Sequence, residues 1–189
     1  MELTPTAIPG CLAVHAPIFE DQRGTFVKTY HQGAFEQAGV SVTFAEQYCS
    51  TSGRGIIRGL HFQTPPHEHA KLVYCLSGTV FDVVLDLRRG SPTFGQTATF
   101  KLDPAGAAGL FIPPGLAHGF QALTSEALML YNVTSMHAPE HDQGVRWDSC
   151  GIQWPLACAG VSSRDASFPA LSEFNTPFNF MPVAVAHVG

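Results

Sequence analysis

Two histidines stand in surroundings suited to moving a proton. His61 lies in Arg58-Gly59-Leu60-His61-Phe62-Gln63, just ahead of a long apolar run at 71–87. His118 lies in Ile112-Pro113-Pro114-Gly115-Leu116-Ala117-His118-Gly119-Phe120. A neutral imidazole is the side chain best matched to accepting a proton near pH 7. Strand signals and almost no helix signal separate the two segments, so both are expected to face one cavity inside a β-barrel.

The elements that must position them are short and turn-bounded. After an extended stretch over residues 1–20, Asp21-Gln22-Arg23-Gly24 marks a turn and 25–30 a strand. Residues 32–38 form the one plausible helix of any length, which Gly39 can end. Residues 40–52 read as a strand with polar interruptions and 56–63 as another, closed by Thr64-Pro65-Pro66. Residues 71–76 and 79–87 read as a hairpin joined at Ser77-Gly78, dense enough in Val, Leu, Tyr and Phe to be buried on both faces. In 97–102, Ala98, Phe100 and Leu102 alternate with Thr97, Thr99 and Lys101. Three further strands are expected at 109–112, 119–123 and 127–133. From about Asn175 the tail is expected to pack loosely or against a partner. Many short strands at this spacing spell a β-sandwich or barrel.

Composition limits what such a barrel does. The chain has 189 residues, 45% hydrophobic and 13% charged, which suits one folded domain over 1–189. A formal net charge of −5 argues against nucleic acid as a bulk electrostatic partner. An anionic small ligand would need a local basic cluster drawn from Arg23, Lys28, Arg54, Arg58, Lys71 and Arg164. Five cysteines without a Cys-x-x-Cys pair read as reduced thiols, mostly core filler, in a cytoplasmic protein. No signal peptide or membrane-spanning run is expected.

Pro113-x-Gly115-x-x-His118 resembles the second half of the cupin signature, whose histidine points into the barrel. His67-Glu68-His69 could supply the first half. A metal site of His67, His69 and His118 is therefore one alternative, as in a metal-dependent dioxygenase-like cupin, because imidazole suits transition metals. The place near Val73 and Tyr74 where a cupin glutamate is expected is apolar.

A longer series of motifs points elsewhere. The Arg58–Gln63 segment, Lys71-Leu72-Val73, Val80-Phe81-Asp82-Val83-x-Leu85-Asp86-Leu87-Arg88, Ser91-Pro92-Thr93-Phe94-Gly95, the segment ending at Phe120 and Trp154-Pro155 together resemble the dTDP-4-dehydrorhamnose 3,5-epimerase family. Phe19-x-Asp21-x-Arg23-Gly24 and Ser163-Arg164-Asp165 extend the resemblance to roughly 10–172. It implies an all-β cupin, a double-stranded β-helix (jelly roll) with an N-terminal arm and an irregular C-terminal segment. It also implies a cofactor-free epimerase that takes a proton from carbon beside the 4-keto group of a nucleotide-diphosphate sugar.

By that resemblance His61 is the base, Asp165 orients it, Lys71 steadies the enolate and Tyr131 is the acid. Arg58, and Arg23 from a neighbouring subunit, would hold the diphosphate. Phe19, Ser50, His118 and Arg164 are the other substrate contacts it implies. A homodimer is expected, in which the arm carrying Phe19 and Arg23 completes the neighbour's site.

Several positions depart from the family pattern. Lys28 stands for a glutamate, Glu46 and Tyr48 for glutamine and asparagine, His69 for a glutamine, and His137 for a tyrosine ahead of Pro139-Glu140. The proton-transfer set is kept while contacts around the nucleotide and part of the sugar change. An altered nucleotide, an altered sugar or epimerisation at one carbon is therefore expected. A non-catalytic sugar-nucleotide-binding cupin is the remaining alternative.

Overall fold

A computed structural model describes residues 1–181. Two antiparallel sheets face one another. The larger holds β1 (Glu2–Pro5), β2 (Leu12–His15), β10 (Ala108–Ile112), β7 (Lys71–Ser77), β12 (Glu126–Val133) and β5 (Glu46–Gly53), in that order. The smaller runs β13 (Asp142–Gly144), β6 (Ile57–Gln63), β11 (Leu116–Ala122), β8 (Val80–Asp86), β9 (Thr97–Leu102). A separate hairpin pairs β3 (Ile18–Asp21) with β4 (Gly24–Val27). The jelly roll expected from the sequence is thus the fold observed.

Strand parity explains why β7 and β8 are apolar almost throughout. Val73 and Cys75 of β7 meet Val80 and Val84 of β8 between the sheets, with Leu110, Leu116, Phe120 and Met129. The alternate residues Leu72 and Tyr74 face outward, where α1 (Gln32–Gln37) covers them with Phe35. Val83 and Leu85 face outward on the other sheet, beneath Phe62, Trp154, Phe174 and Phe178. Both strands are consequently buried on two faces, as their composition requires.

The expected hairpin of β7 with β8 does not form. The two strands belong to opposite sheets, and the chain crosses between them at Gly78. Gly78 has φ +75°, and a Cβ there would come within 2.1 Å of the Glu126 carbonyl. A corner this tight turns the chain out of its own sheet, which a two-residue apolar gap in the sequence does not reveal.

Other boundaries also shift. Within residues 1–15, β1 and β2 pair into the larger sheet, so the protruding arm is only the β3–β4 hairpin. That arm strand ends at Val27, short of the expected Tyr30. The strand expected over 40–52 begins only at Glu46. Before it, Val40, Val42 and Phe44 pack with Phe35 under the sheet instead of pairing. The described part of the tail is anchored over 176–180 and does not pack loosely. Thr176 donates to the Leu87 carbonyl at 2.6 Å, Phe178 is buried, and the Arg88 guanidinium lies 5.0 Å over the Phe180 ring. Residues 182–189 lie outside the described residues. All five cysteines are free, but only Cys11 and Cys75 are core filler; Cys49 and Cys158 are exposed and Cys150 is half-buried. Among the described residues no helix is long and apolar enough to cross a membrane.

Candidate active site

At one end of the sandwich, inward positions that should carry apolar residues carry polar ones. On β7 the inward series Cys75, Val73 ends in Lys71; on β12, Met129 gives way to Tyr131; on β11, His118 stands between Leu116 and Phe120. With His61 of β6 and Glu46, Tyr48 and Ser50 of β5 they line a cleft of about 370 Å³. Such a volume suits a small organic ligand. Arg58, His137 and Arg164 lie on the same wall set.

His61 is held from behind. Its Nε2 lies 2.9 Å from Asp165 Oδ1, and Asp165 Oδ2 accepts the Gly59 N–H at 2.9 Å. Asp165 sits in α2 (Ser163–Ala166), whose cap Ser162 accepts the Asp165 N–H at 3.0 Å. Gly59 is required here: a Cβ would fall 2.7 Å from both Gly119 Cα and the His118 carbonyl, so β6 and β11 approach closely only without one. With Nε2 facing Asp165, Nδ1 is the ring nitrogen with no protein partner among the described residues.

The electrostatics favour a neutral ring beside an ionised carboxylate. Burial lowers the His61 pKa, and the Lys71 and Arg164 charges add to this against the pull of Asp165. Arg164 Nη2 lies 3.1 Å from His61 Nε2, and Arg164 also pairs with Asp142 of β13. For Asp165 burial works upward, but the bond to His61 and the Gly59 amide outweigh it and hold the carboxyl well below its usual range.

Lys71 is 6% exposed and donates to the His61 carbonyl at 3.0 Å. Burial lowers its pKa to about 8, opposed by the carboxylates of Asp142 and Asp82. Tyr131 is buried, accepts weakly from the Ser50 hydroxyl at 3.5 Å, and has its pKa raised chiefly by burial. Tyr48, its register partner on β5, stacks on it with centroids 4.9 Å apart and planes 15° apart. Burial pushes the Tyr48 phenol up to about 12.

Arg58 is aimed by Ser52 Oγ at 2.8 Å and the Thr51 carbonyl at 3.0 Å. The Glu46 carboxylate accepts the His137 N–H at 3.1 Å. His118 Nε2 lies 2.8 Å from Asp82 Oδ2, and burial raises the pKa of that fully enclosed carboxyl.

Phe19, Arg23 and Lys28 are not brought to this cleft. Phe19 and Arg23 line a different groove on the β3–β4 hairpin, where Arg23 Nε holds Asp21 at 3.0–3.1 Å. Lys28 follows β4 and is exposed. The three-histidine metal site does not assemble. The His67 ring packs on His141 at 4.6 Å, and no group of three His, Cys, Asp or Glu among the described residues is placed to hold a metal. Gln63, Asp82 and Asp142 were not anticipated as site residues. Gln63 ends the His61 motif on β6, and Asp82 is a carboxylate at an inward place between Val80 and Val84.

Residues 5–173 match the family described as dTDP-4-dehydrorhamnose 3,5-epimerase. The chain is 43% identical over 167 residues to dTDP-4-dehydrorhamnose 3,5-epimerase of Pseudomonas aeruginosa, covering 87% of this chain and 92% of that protein. It superposes with a TM-score of 0.91 on the Legionella pneumophila dTDP-6-deoxy-D-glucose-3,5-epimerase in complex with dTDP-4-keto-L-rhamnose, at 31% identity, over 96% of this chain and 99% of that one. A 3'-monoepimerase of Streptomyces bikiniensis in complex with dTDP-quinovose matches with TM-score 0.85 and 32% identity, over 91% of this chain and 88% of that one. With this sequence match and this fold, the chain belongs to the dTDP-4-dehydrorhamnose 3,5-epimerase family.

Proposed function

We propose that this protein is an isomerase that epimerises a 4-keto-6-deoxy nucleotide-diphosphate sugar at C3, C5 or both, in deoxysugar synthesis. Hydrogens on the carbons flanking the 4-keto group are acidic because the carbanion delocalises into the carbonyl. Inversion needs a base on one face of the ring and an acid on the other. The observation that carries the reading is the placement of these two groups on facing sheets: His61 on β6 of the smaller sheet, Tyr131 on β12 of the larger. His61 Nδ1 takes the proton, and ionised Asp165 steadies the imidazolium that forms at Nε2–H. Lys71 supplies a positive charge for the enolate oxygen from a site where little water screens it. Tyr131 returns a proton from the opposite face, and Arg58, with Arg23 of a second copy, takes the diphosphate.

The arm belongs to a dimer in this reading. Phe19 is 56% and Phe26 60% exposed on a hairpin where the two rings lie 6.0 Å apart. Seated on a second copy, the hairpin would bury them and deliver Phe19, Arg23 and Lys28 to that copy's cleft. Dilution to monomer should then abolish turnover, and a fully active monomer refutes the shared site. The changed rim residues Glu46, Tyr48 and His137 alter which nucleotide edges and sugar hydroxyls can be paired. Binding of dTDP, CDP and GDP compared side by side tests this, a clear preference for dTDP removing the altered-nucleotide part.

The deciding experiment is incubation with dTDP-4-keto-6-deoxyglucose in D2O, counting deuterons at C3 and C5 by NMR, beside His61→Ala. Two deuterons lost in the variant mean double epimerisation with this base, and one means a single-carbon enzyme. No exchange with this or with the CDP and GDP sugars overturns the reading in favour of a binding protein.

A further inference from the structure

His69 belongs to the cleft, and the proton-transfer scheme gives it no task. It lies two residues before Lys71, in the segment that leads into β7, and it lines the cleft with Lys71 and His137. Its two ring nitrogens have different neighbours. Gln63 is fixed in one amide orientation, because its Oε1 accepts the Ala138 N–H at 2.7 Å and its Nε2 donates to the His67 carbonyl at 2.8 Å. That Nε2 is 3.2 Å from His69 Nδ1. The Ser135 hydroxyl, already donating to the His67 carbonyl at 2.9 Å, is 3.3 Å from the same ring nitrogen. The same Gln63 Nε2 is also 3.2 Å from Ser135 Oγ and 3.2 Å from the Met136 carbonyl; where its second hydrogen goes to His69, Nδ1 is bare and Nε2 carries the ring hydrogen.

The ring also stays neutral. Burial, with the Lys71 and His137 charges, lowers its pKa to about 3. His69 Nε2 is buried and without a hydrogen-bond partner among the described residues, and in that tautomer it is a donor, Nε2–H. Native folds seldom leave such a donor unpaired, and a ligand is the usual reason where one lines a cleft.

Resting on the function proposed above, we propose that His69 is a specificity-determining substrate contact whose Nε2–H donates to an oxygen of the sugar near the 4-keto group. Its place beside Lys71 puts it at the sugar rather than the diphosphate. A hydroxyl or keto oxygen can accept this hydrogen. A protonated amino group cannot, and it would also face the Lys71 charge. The site therefore takes oxygen-bearing sugars and rejects amino sugars at that carbon.

The test is histidine side-chain 15N NMR on the full chain, titrated with dTDP-glucose and with dTDP alone, and with the CDP and GDP pairs if dTDP-glucose does not bind. The expected result is a neutral Nε2–H pattern for His69 that does not titrate between pH 5 and 9, near its ordinary range. Its Nε2–H signal moves with the nucleotide sugar and not with the bare nucleotide. In kinetics, His69→Phe lowers kcat/KM about tenfold to a hundredfold, mainly through KM, and His69→Gln, which keeps an N–H, recovers most of it. An Nδ1–H pattern, equal shifts with the bare nucleotide, or unchanged KM in His69→Phe overturns the proposal. If wild type still exchanges deuterium, that failure is confined to His69. If wild type exchanges with no nucleotide sugar, the proposed function fails and this contact with it.

Discussion

Replacing Lys71 by methionine should stop turnover and make the protein more stable. Lys71 is 6% exposed, and its pKa falls from 10.5 to about 8 mainly through burial. Below pH 8 the folded state therefore carries a charge that it disfavours relative to the unfolded chain. At about 1.36 kcal/mol per unit, that disfavour is about 3 kcal/mol at neutral pH. Methionine fills similar volume without charge and gives up one hydrogen bond, to the His61 carbonyl, of about 1 kcal/mol. The net gain is about 2 kcal/mol, or a rise in Tm of about 4–8 °C for a chain of this size. The wild type should itself gain stability as pH rises from about 8 towards 10.5, and the variant should not. Exchange of the substrate's C–H with D2O, which needs the enolate, should fall by about three orders of magnitude. Thermal melts at pH 7 and 10 and the deuterium assay read all three. A variant that melts lower than wild type at pH 7, or that keeps its exchange rate, defeats the argument that Lys71 is a strained, functional charge.

Asp165→Asn should cut kcat/KM by about 10²–10⁴ with the fold intact: the amide either donates to His61 Nε2, forcing the hydrogen onto Nδ1, or leaves the Gly59 N–H facing an NH2. A loss below tenfold in a correctly folded variant would contradict that. The pH profile of kcat/KM should be a bell, since His61 must be neutral and Lys71 charged. The acid limb should lie below the ordinary 6.5 because burial lowers His61, and the alkaline limb near 8. An acid limb above 6.5 in the free enzyme would refute this ordering. Tyr48→Phe should keep activity and Tyr48→Ala should lose kcat, because the stack on Tyr131 uses the ring and not the hydroxyl; equal losses in the two would show that the phenol matters instead.

Local signals were enough for the strands that carry the site, and the family resemblance pointed to ten of the cleft's lining residues, His61, Lys71, Tyr131, Arg58, Glu46, Tyr48, Ser50, His118, His137 and Arg164. What failed was information held by distant contacts. Whether β7 pairs with β8 or turns away from it depends on Gly78 fitting beside Glu126, which no window around Gly78 contains. Residues 40–44 have the alternation of a strand, yet their apolar side chains are used to pack with Phe35, and ladder bonding begins only with the Ala45 N–H to the Val133 carbonyl. The tail looked unattached because its anchors, the Leu87 carbonyl and the Arg88 side chain, lie about ninety residues earlier. Phe19 and Arg23 are legible as functional types but sit on a hairpin that a single chain leaves outside the cleft.

Two cleft histidines are each paired with an aspartate, and the electrostatics of the two pairs differ. His61 and His118 are direct partners across β6 and β11, each bonded through Nε2 to a carboxylate. Asp165 has the Gly59 amide and Arg164 beside it and is held ionised, so it can stabilise an imidazolium at His61. Asp82 is sealed between the sheets, its Oδ1 has no partner among the described residues, and burial drives its pKa upward against the pull of His118 and Lys71. A carboxylate so disfavoured by burial stabilises a neighbouring positive charge less than the ionised Asp165 does. Proton abstraction should therefore depend far more on Asp165 than on Asp82. Asp82→Asn, which keeps a neutral partner for His118, should leave the rate of deuterium exchange within about tenfold of wild type, while Asp165→Asn loses about a hundredfold or more. If the two variants lose the same, or Asp82→Asn loses more, the base lies on the His118 side and the roles of the two imidazoles must be exchanged.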